Sequence, residues 1–245
     1  MNILLSGICG FMGREVVKLC EANYRGASLA FGVDPNGNDN VYRSLDDIPS
    51  TEGIDCIIDF SHHSATPALL DFAIANRLPL VLCTTGHTED EKELISKASA
   101  RIPLFYSGNM SVGIALLMEL AKTTAAAFPE AEIEIIEKHH SAKLDAPSGT
   151  ALMLANAIRS VREKLTFMLG RSGRREREKN EIGIHAVRAG SIVGEHEIIV
   201  ATKNEIITLS HSAMSRSVFA DGALAAAKWI CDKTAGLYAM QDMIK

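Results

Sequence analysis

The sequence is poor in aromatic residues, which make up 5% of its 245 residues, and it contains only 7 prolines and 5 cysteines. The cysteines at 9, 20, 56, 83 and 231 form no C-x-x-C pair, so neither a disulfide framework nor a zinc site is expected. No apolar run approaches the roughly 18 residues that a membrane-spanning helix needs. The N-terminus lacks the basic region and cleavage site of a secretory signal. We therefore expect a cytoplasmic protein with no membrane partner and no metal.

Positive charge is not in excess either, since 25 Lys and Arg stand against 30 Asp and Glu, a formal net charge of −5. A general nucleic-acid-binding protein would be basic, so nucleic acid is not an expected partner. Residues 159–179 depart from this balance with eight basic and three acidic residues. For this segment we favour a solvated helix end and loop over a mobile basic flap hinged at Gly170 and Gly173.

Short apolar runs alternate with segments of helical periodicity in the first part of the chain. The runs lie at 3–5, 28–33, 55–60, 79–83 and 103–106, and the helical segments lie at 13–24, 65–76 and 89–100. Continuous apolar strands that alternate with helices are typical of a parallel sheet covered on both faces. We predict a Rossmann-type α/β domain over residues 1–110.

The pattern changes after residue 110. A helix is expected over 111–128 and another over 147–164, which would begin at Pro147, and alternating strands are expected at 132–135, 182–188, 191–201 and 205–210. Consecutive strands without helices between them favour an antiparallel or mixed sheet with one open face. We predict an α+β domain over residues 111–214. The Ala-rich helix within 215–245 is expected to return to the first domain.

Three glycines mark the junction between the first strand and the first helix. Gly7, Gly10 and Gly13 stand where a dinucleotide-binding turn belongs, and the amides of a helix N-terminus attract phosphate. Asp34 ends the second apolar run about 20 residues later, where an acidic side chain bonds the ribose hydroxyls. Asp34 also begins a strong turn sequence, but we favour the ribose contact. A carboxylate repels a 2′-phosphate, which favours NADH, while Arg14 leaves NADPH open.

Two further loops follow predicted parallel strands. Thr84-Thr85-Gly86 ends the fourth strand and residues 107–110 end the fifth, so both belong to the edge where ligands of open α/β sheets bind. Their composition alone would suit ordinary connecting loops. Together with the glycine turn, they are predicted to lie at the nicotinamide end of the cofactor.

The densest polar segment spans residues 137–150. His139 and His140 are adjacent in a predicted strand and point to opposite faces, which argues against a shared metal. Ser148, Gly149 and Thr150 open a predicted helix and offer amides and hydroxyls to an anion, and Lys143 precedes them by a few residues. A cation, an oxyanion cradle and a histidine suit a carboxylate-bearing substrate that is protonated while a hydride arrives.

The segment EKHHSAKLDAPSGTA at residues 137–151 resembles the signature of the 4-hydroxy-tetrahydrodipicolinate reductase (dihydrodipicolinate reductase) family. The similarity extends in order to the turn at 7–13, to 58–61, 84–86 and 109–113, and to 187–190 and 193–196. The resemblance implies a cytoplasmic homotetramer of lysine biosynthesis through diaminopimelate, with a Rossmann domain and a mixed-sheet domain that binds substrate and forms the tetramer. Its substrate would be a small dicarboxylate, reduced with NADH or NADPH as water is lost.

The resemblance also assigns roles to individual residues. His139 matches the family's proton donor or acceptor, Lys143 a second donor, and His140 a substrate contact. Gly149 and Thr150 match contacts to the substrate carboxylate, to which Ser148 is added from the helix start. The cofactor-binding stretches match Gly7, Ile8, Cys9, Gly10, Phe11, Met12, Asp34, Cys83, Thr84, Thr85, Ser107, Gly108, Asn109 and Met110. Two departures are Pro35, where members that use NADPH often have a basic residue, and Cys83, where glycine is common.

Two other functions share part of this pattern. Another NAD(P)-dependent dehydrogenase of amino or keto acids would have the same N-terminal half but no reason for the 139–150 segment. A non-catalytic regulator that senses NADH would also share the glycine turn, but it should carry a DNA-reading helix or an effector module. The sequence shows neither feature, and the reductase is the favoured function.

Overall fold

The computed structural model describes residues 1–38 and 40–244, which form two compact units. Unit 1 consists of residues 1–111 together with the segment from 216 to the end of the described chain. Unit 2 consists of residues 112–215. None of the helices in the described part is both long and apolar enough to cross a membrane.

Unit 1 is an alternation of strands and helices. Its elements are β1 (Asn2–Ser6), α1 (Phe11–Glu21), β2 (Ser28–Val33), β3 (Cys56–Asp59), α2 (Thr66–Asn76), β4 (Leu80–Leu82), α3 (Glu89–Ser99), β5 (Pro103–Tyr106), α6 (Ser217–Ile230), β11 (Gly236–Tyr238) and α7 (Met240–Met243). The strands are short, and the inner strands β1, β3 and β4 are apolar apart from residues at their ends, because helices cover both faces. The α3 helix begins with a capping box in which Thr88 and Glu91 bond each other's backbone N–H.

The sheet of unit 1 is parallel throughout, in the order β11-β5-β4-β3-β1-β2. The chain passes from β1 to β2 on one side and later enters β3 on the other side of β1. This reversal is the topological switch point, at whose carboxyl edge doubly wound sheets bind ligands. The loops that begin at Gly7 and Phe60 meet there.

Unit 2 carries its helices on one face of a mixed sheet. Its elements are α4 (Val112–Ala127), β6 (Glu132–His139), α5 (Gly149–Arg159), β7 (Thr166–Leu169), β8 (Glu181–Arg188), β9 (Gly194–Ala201) and β10 (Ile206–Ala213). The strand order is β10-β9-β6-β8-β7, with β7, β8 and β6 parallel and β9 antiparallel to both neighbours. The inward residues of β6, such as Ile133 and Ile135, are buried against α4 and α5. Alternate positions on β10, including Ile206 and Thr208, are exposed on the other face.

The predicted fold class, a Rossmann-type parallel sheet with a second mixed-sheet domain, is confirmed by this architecture. Several element limits differ from the prediction. The α5 helix starts at Gly149 rather than Pro147, because Ser148 is the N-cap and its hydroxyl accepts the N–H of Ala151. The helix also ends at Arg159, short of residue 164. The strands β7 and β11 and the one-turn α7 were not predicted.

Candidate functional site

The glycine turn of unit 1 is shaped by backbone packing. Gly7 has a φ of +78°, and a Cβ there would lie 2.6 Å from the carbonyl carbon of Phe60 at the end of β3. A Cβ on Gly13 would lie 2.2 Å from the carbonyl oxygen of Gly7. Any side chain at either position would push the loop and the helix apart. The two glycines are therefore required by the close approach of α1 to β1 and to the β3 loop.

The N-terminus of α1 borders a cavity of about 820 Å³. Gly10 is the N-cap and has no side chain, and the first turn, Phe11-Met12-Gly13, carries no acidic residue that would neutralise the helix dipole. Gly7 and Gly10 line the cavity together with residues from the ends of β2 and β3 and from α2. This helix end can bind a phosphate through backbone N–H groups.

Asp34 lies at the same cavity, directly after β2, and its side chain is buried. Its Oδ2 accepts the N–H of Cys9 at 3.1 Å and its Oδ1 accepts the N–H of Asn36 at 2.9 Å. The carbonyl of Asp34 also accepts the N–H of Gly37, so the expected turn is present as well. Each carboxylate oxygen has a second lone pair with which to accept a hydroxyl. Asp34 thus ties the glycine turn to β2 and keeps the capacity to bind a ribose.

Of the other two predicted cofactor loops, the one that contains Thr84 is held by a buried carboxylate that was not predicted as a site residue. Asp59, the last residue of β3, accepts hydrogen bonds from the hydroxyl of Thr84 at 2.5 Å and from that of Ser61 at 2.6 Å. In the loop at 107–110, the Ser107 hydroxyl donates to the carbonyl of Asn109 at 2.7 Å. Cys83 and Met110 are buried, so any contact from them to a ligand would have to come from their backbone.

Glu137 is the centre of the polar cluster in unit 2, and its side chain is 0% exposed. Arg188 donates two hydrogen bonds to it, one to each carboxylate oxygen, both at 2.7 Å. The Nδ1 of His139 lies 2.7 Å from Oε2, and the backbone N–H of Ser148 donates to Oε1 at 2.9 Å. One buried carboxylate therefore joins β6, β8 and the start of α5.

Burial alone would raise the pKa of Glu137, but the hydrogen bonds from Arg188, His139 and Ser148 hold it below its ordinary value. An ionised carboxylate only accepts hydrogen bonds, so the Nδ1 of His139 must carry the proton. The Nε2 of His139 is then the ring nitrogen that can exchange a proton with another molecule. This arrangement orients His139 in the way that a carboxylate orients the histidine of a general acid–base pair.

A second histidine, His196 on β9, packs edge-on against His139 with ring centroids 5.3 Å apart. Burial, followed by the nearby His139, lowers the pKa of His196 to about 4, so the ring is neutral at pH 7. Its Nε2 lies 3.2 Å from the hydroxyl of Ser148, while its buried Nδ1 has no hydrogen-bond partner within the described residues. Glu137, Arg188 and His196 were not predicted as site residues. The sequence held two signals for them. The alternation of β6 places Glu137 on the same face as His139, and Arg188 and His196 lie within the resembling stretches 187–190 and 193–196.

Lys143 and the N-terminus of α5 already hold a carboxylate. The Nζ of Lys143 is 2.7 Å from Oδ1 of Asp145, and the backbone of Gly149 also hydrogen-bonds Asp145. The hydrogen bond from Lys143 is the main reason that the pKa of Asp145 is lowered. Of the predicted substrate contacts, Ser148 differs from expectation, because its amide is bonded to Glu137 and its hydroxyl to Ala151. His140 follows directly after β6, and Thr150 lies in the first turn of α5.

Three of the eight basic residues within 159–179 are held in ion pairs. Arg171 donates to Glu181 at 2.9 Å, Arg175 forms a short ion pair with the same carboxylate, and Arg177 donates to Glu134 at 3.1 Å. Glu181 is buried, which alone would raise its pKa, but the hydrogen bonds from Arg171 and Arg175 hold that pKa below its ordinary value. These three arginines are paired with carboxylates of β6 and β8, which does not suit a mobile flap, whereas Arg174 and Lys179 are exposed, as expected of a solvated loop. Among the described residues, no group of His, Cys, Asp and Glu is arranged to hold a metal ion.

Comparisons with known proteins match nearly the whole chain to one protein family. The family models described as "Dihydrodipicolinate reductase, N-terminus" and "Dihydrodipicolinate reductase, C-terminus" match residues 1–110 and 113–244. The 4-hydroxy-tetrahydrodipicolinate reductase of Clostridium novyi (strain NT) is 46% identical over 248 residues, covering 100% of this chain and 98% of that protein. The enzyme of the same name from Caldanaerobacter subterraneus subsp. tengcongensis is 47% identical over 250 residues, with the same coverage.

Solved structures agree in fold. A dipicolinate-bound dihydrodipicolinate reductase from Paenisporosarcina sp. TG-14 matches with a TM-score of 0.83 and 25% identity, covering 99% of both chains. A DAP dehydrogenase from C. glutamicum matches with a TM-score of 0.60 at 11% identity, covering 99% of this chain and 92% of that one, a likeness of fold alone.

Proposed function

The chain belongs to the dihydrodipicolinate reductase family, and from that premise we propose that it reduces 4-hydroxy-tetrahydrodipicolinate to tetrahydrodipicolinate with loss of water. The enzyme would serve the diaminopimelate route to lysine. The observation that supports this most strongly is the polar cluster of unit 2, where an oriented histidine and a lysine lie within a few residues of a helix N-terminus. Fold alone would not distinguish this activity from other dehydrogenases, as the DAP dehydrogenase likeness illustrates.

We propose that unit 1 holds a nicotinamide dinucleotide. The uncapped N-terminus of α1 would bind the pyrophosphate, Asp34 the ribose, and the loops at 83–85 and 107–110 the nicotinamide end. When bound, the nicotinamide supplies a hydride to the substrate. The cavity at Gly7 and Asp34 is consistent with this group in size and in its backbone donors. The carboxylate of Asp34 would disfavour a 2′-phosphate, so we propose a preference for NADH.

We propose that unit 2 binds the dicarboxylate substrate. The Asp145 carboxylate makes the contacts expected of a substrate carboxylate, to the Lys143 ammonium and to the backbone of Gly149, which supports an anion site at this position. Thr150 and His140 would add substrate contacts. His139, held by Glu137, would give or take the proton through Nε2, and Lys143 would supply a second proton and neutralise charge. Ser148 would position α5 rather than touch the substrate.

We further propose a cytoplasmic homotetramer. The face of the unit 2 sheet that is not covered by helices carries Ile206, which is 68% exposed, and alternate positions of β10. β10 is also an edge strand of this sheet. An edge strand with an exposed apolar side chain on an uncovered face is suited to pairing with another copy of the chain. Light scattering on the purified protein should then report four chains of 26.4 kDa, and a monomer would contradict the proposal.

The deciding experiment is steady-state kinetics with the product of the preceding synthase as substrate, with NADH and NADPH measured side by side. We expect substrate-dependent loss of the reduced cofactor's absorbance, with a higher kcat/KM for NADH. Absorbance that stays constant with both cofactors would refute the reductase function. A strong preference for NADPH would leave the reductase function intact but refute the role given to Asp34.

A further inference from the structure

His87 lies in the loop that joins β4 to α3, and the proposed function gives it no role. Its side chain is buried, with 7% of the residue exposed. The ring Nε2 lies 2.8 Å from the hydroxyl of Thr66, the first residue of α2, and Nδ1 lies 3.1 Å from the hydroxyl of Tyr106, the last residue of β5. The rings of His87 and Tyr106 also pack edge-on, with centroids 5.3 Å apart. His87 therefore joins its own loop to both α2 and β5.

The ring of His87 is neutral at pH 7. Burial is the main cause that lowers the pKa of His87 below its ordinary value, and burial also raises the pKa of the Tyr106 phenol. A neutral imidazole has one nitrogen that donates and one that accepts, whereas a hydroxyl can do either. Both hydrogen bonds of His87 can therefore form at once, in either tautomer, without a buried charge.

His87 is one of two buried anchors of the loop at 83–88. The other is Thr84, whose hydroxyl donates to the buried carboxylate at the end of β3. Thr85 and Gly86 lie between the two anchors and are exposed. Gly86 has a φ of +85°, a left-handed conformation that glycine adopts without strain. The loop thus has fixed ends, and the backbone of its two central residues is free to meet a ligand.

The hydrogen bond to Tyr106 also links this loop to the second predicted cofactor loop, at 107–110. Tyr106 directly precedes that loop, and the backbone N–H of Ser107 donates to the carbonyl of Leu82 at 3.3 Å. Because β4 and β5 are neighbours in the parallel sheet, the two loops start side by side at its carboxyl edge. The His87 side chain fastens the far end of the first loop to the start of the second.

The start of α3 does not depend on His87 for its own stability. Thr88 and Glu91 form the capping box of that helix, and the Glu91 carboxylate also pairs with Nδ1 of His63 at 2.9 Å. The hydroxyl partners of His87 belong to α2 and β5 instead. Loss of the His87 ring should therefore loosen the position of the loop and leave the helix in place.

We propose that His87 is a positioning residue for the cofactor. It holds the loops at 83–88 and 107–110 in one arrangement, so that the backbone at Thr85 and Gly86 meets the nicotinamide half of the dinucleotide. This inference rests on the proposed function of unit 1 as a dinucleotide-binding domain. A loop that is ordered before the ligand arrives loses less conformational entropy on binding, which raises affinity. The effect is confined to the nicotinamide half, because the adenosine and the pyrophosphate would lie at the glycine turn.

The test measures the binding of NADH and of ADP to the full-length protein by isothermal titration calorimetry. ADP has the adenosine and two phosphates but lacks the nicotinamide and its ribose. We expect His87→Ala to raise the Kd of NADH about tenfold, since two buried hydrogen bonds are lost, and to leave the Kd of ADP within about twofold. His87→Gln, whose amide can both donate and accept, should keep the Kd of NADH within about threefold of the parent protein.

Two milder variants and one control separate positioning from a general loss of stability. Tyr106→Phe and Thr66→Val each remove one hydroxyl partner of His87 and should each raise the Kd of NADH about threefold, with the Kd of ADP unchanged. Ser99→Ala is the control, since it removes another buried hydroxyl of unit 1, which donates to the carbonyl of Ser96 at 2.7 Å in the last turn of α3. This variant should leave both Kd values unchanged.

Three results would contradict the proposal in distinguishable ways. Equal losses of NADH and ADP affinity in His87→Ala would mean that His87 only stabilises unit 1. An unchanged Kd of NADH in His87→Ala, with native circular dichroism, would refute the role of His87 and leave dinucleotide binding by unit 1 intact. A parent protein that binds neither NADH nor ADP would refute the dinucleotide site itself, and the role of His87 with it.

Discussion

The two candidate binding regions are built from different kinds of group. In unit 1 the glycine turn is held by backbone contacts, and the groups offered to a ligand are mostly N–H donors at the start of α1. In unit 2 the cluster depends on one buried carboxylate, Glu137, and on side chains from three strands and a helix N-terminus. Ligand binding at a site built from backbone groups is altered only by substitutions that change its shape. The function of a site built from buried charges is altered when any one of the paired side chains is removed.

This difference predicts where single substitutions act. Conservative changes within the buried Glu137 cluster of unit 2 should have large effects on both turnover and stability, because each leaves a buried polar group without its partner. Conservative side-chain changes at the unit 1 cavity should have small effects that are confined to cofactor choice. We expect the largest effect at Lys143, followed by Glu137, His196 and Arg43 in that order.

Lys143→Ala should lower kcat by about 1,000-fold, or about 4 kcal/mol in the activation barrier, since it removes both a proton donor and a positive charge. The fold should remain, because the ion pair that Lys143 makes is with Asp145, whose side chain is exposed. Steady-state kinetics measures the loss of kcat, and circular dichroism measures whether the fold remains. Lys164→Ala, at an exposed position of unit 2, is the control and should retain normal turnover. Near-normal kcat in Lys143→Ala would remove its proposed role.

Glu137→Gln should lower the free energy of unfolding by about 3 kcal/mol at pH 7, because Arg188 would lose its charged partner in a buried setting. Turnover should also fall, since the ring of His139 would lose the carboxylate that orients it. Urea-induced unfolding measures the first effect. Glu163→Gln, an exposed glutamate in the same unit, should stay within about 0.5 kcal/mol of the parent protein. Equal stability of both variants would show that the cluster is less critical than its geometry indicates.

His196 should make stability depend on pH. Its pKa is about 4 when folded, lowered first by burial and then by His139 and His211, with Lys143 contributing and Glu137 opposing. The unfolded chain, with a histidine pKa near 6.5, binds the proton more tightly between these values, so stability is complete above about pH 6.5 and falls as the pH drops toward 4. At pH 4.5 the loss from this residue should be about 2.5 kcal/mol.

The matched comparison is between His196→Gln and His62→Gln, an exposed histidine of unit 1. Urea unfolding at pH 7 and pH 4.5 should show a smaller acid loss in His196→Gln than in the parent protein. His62→Gln should lose as much stability as the parent. An identical acid loss in all three proteins would contradict a neutral, buried His196.

The same contrast explains how much the sequence could predict. The glycine turn was predictable, because Gly7 and Gly13 are required by shape and stand at a fixed place after a strand. The alternation of apolar runs likewise predicted the parallel sheet. The Glu137 cluster was not predictable as a unit, since Arg188 and His196 reach it from strands whose pairing depends on the folded sheet.

The sequence did not predict several short elements and local features correctly, for other physical reasons. β7 and β11 contain four and three residues and are only partly buried, so neither shows a clear apolar pattern. The helix start at Pro147 was wrong because the serine after the proline supplies the cap. The ion pairs of Arg171, Arg175 and Arg177 were not predicted, since their partners Glu134 and Glu181 lie on strands outside that segment.

The smallest effect is expected at the unit 1 cavity, where Arg43 lies with Asp34 and donates from Nε to the carbonyl of Gly37 at 3.3 Å. Arg43 is an exposed cation placed at the cavity that would hold the adenosine ribose, so it is the residue best placed to bind a 2′-phosphate. Arg43→Met should therefore lower kcat/KM for NADPH about tenfold, or about 1.4 kcal/mol, and leave that for NADH within about twofold. Arg101→Met, an exposed arginine at the other edge of the sheet, should change neither value. Equal losses with both cofactors in Arg43→Met would mean that Arg43 stabilises the loop and does not bind the phosphate. The difference between the backbone-built cavity of unit 1 and the charged cluster of unit 2 would then be larger.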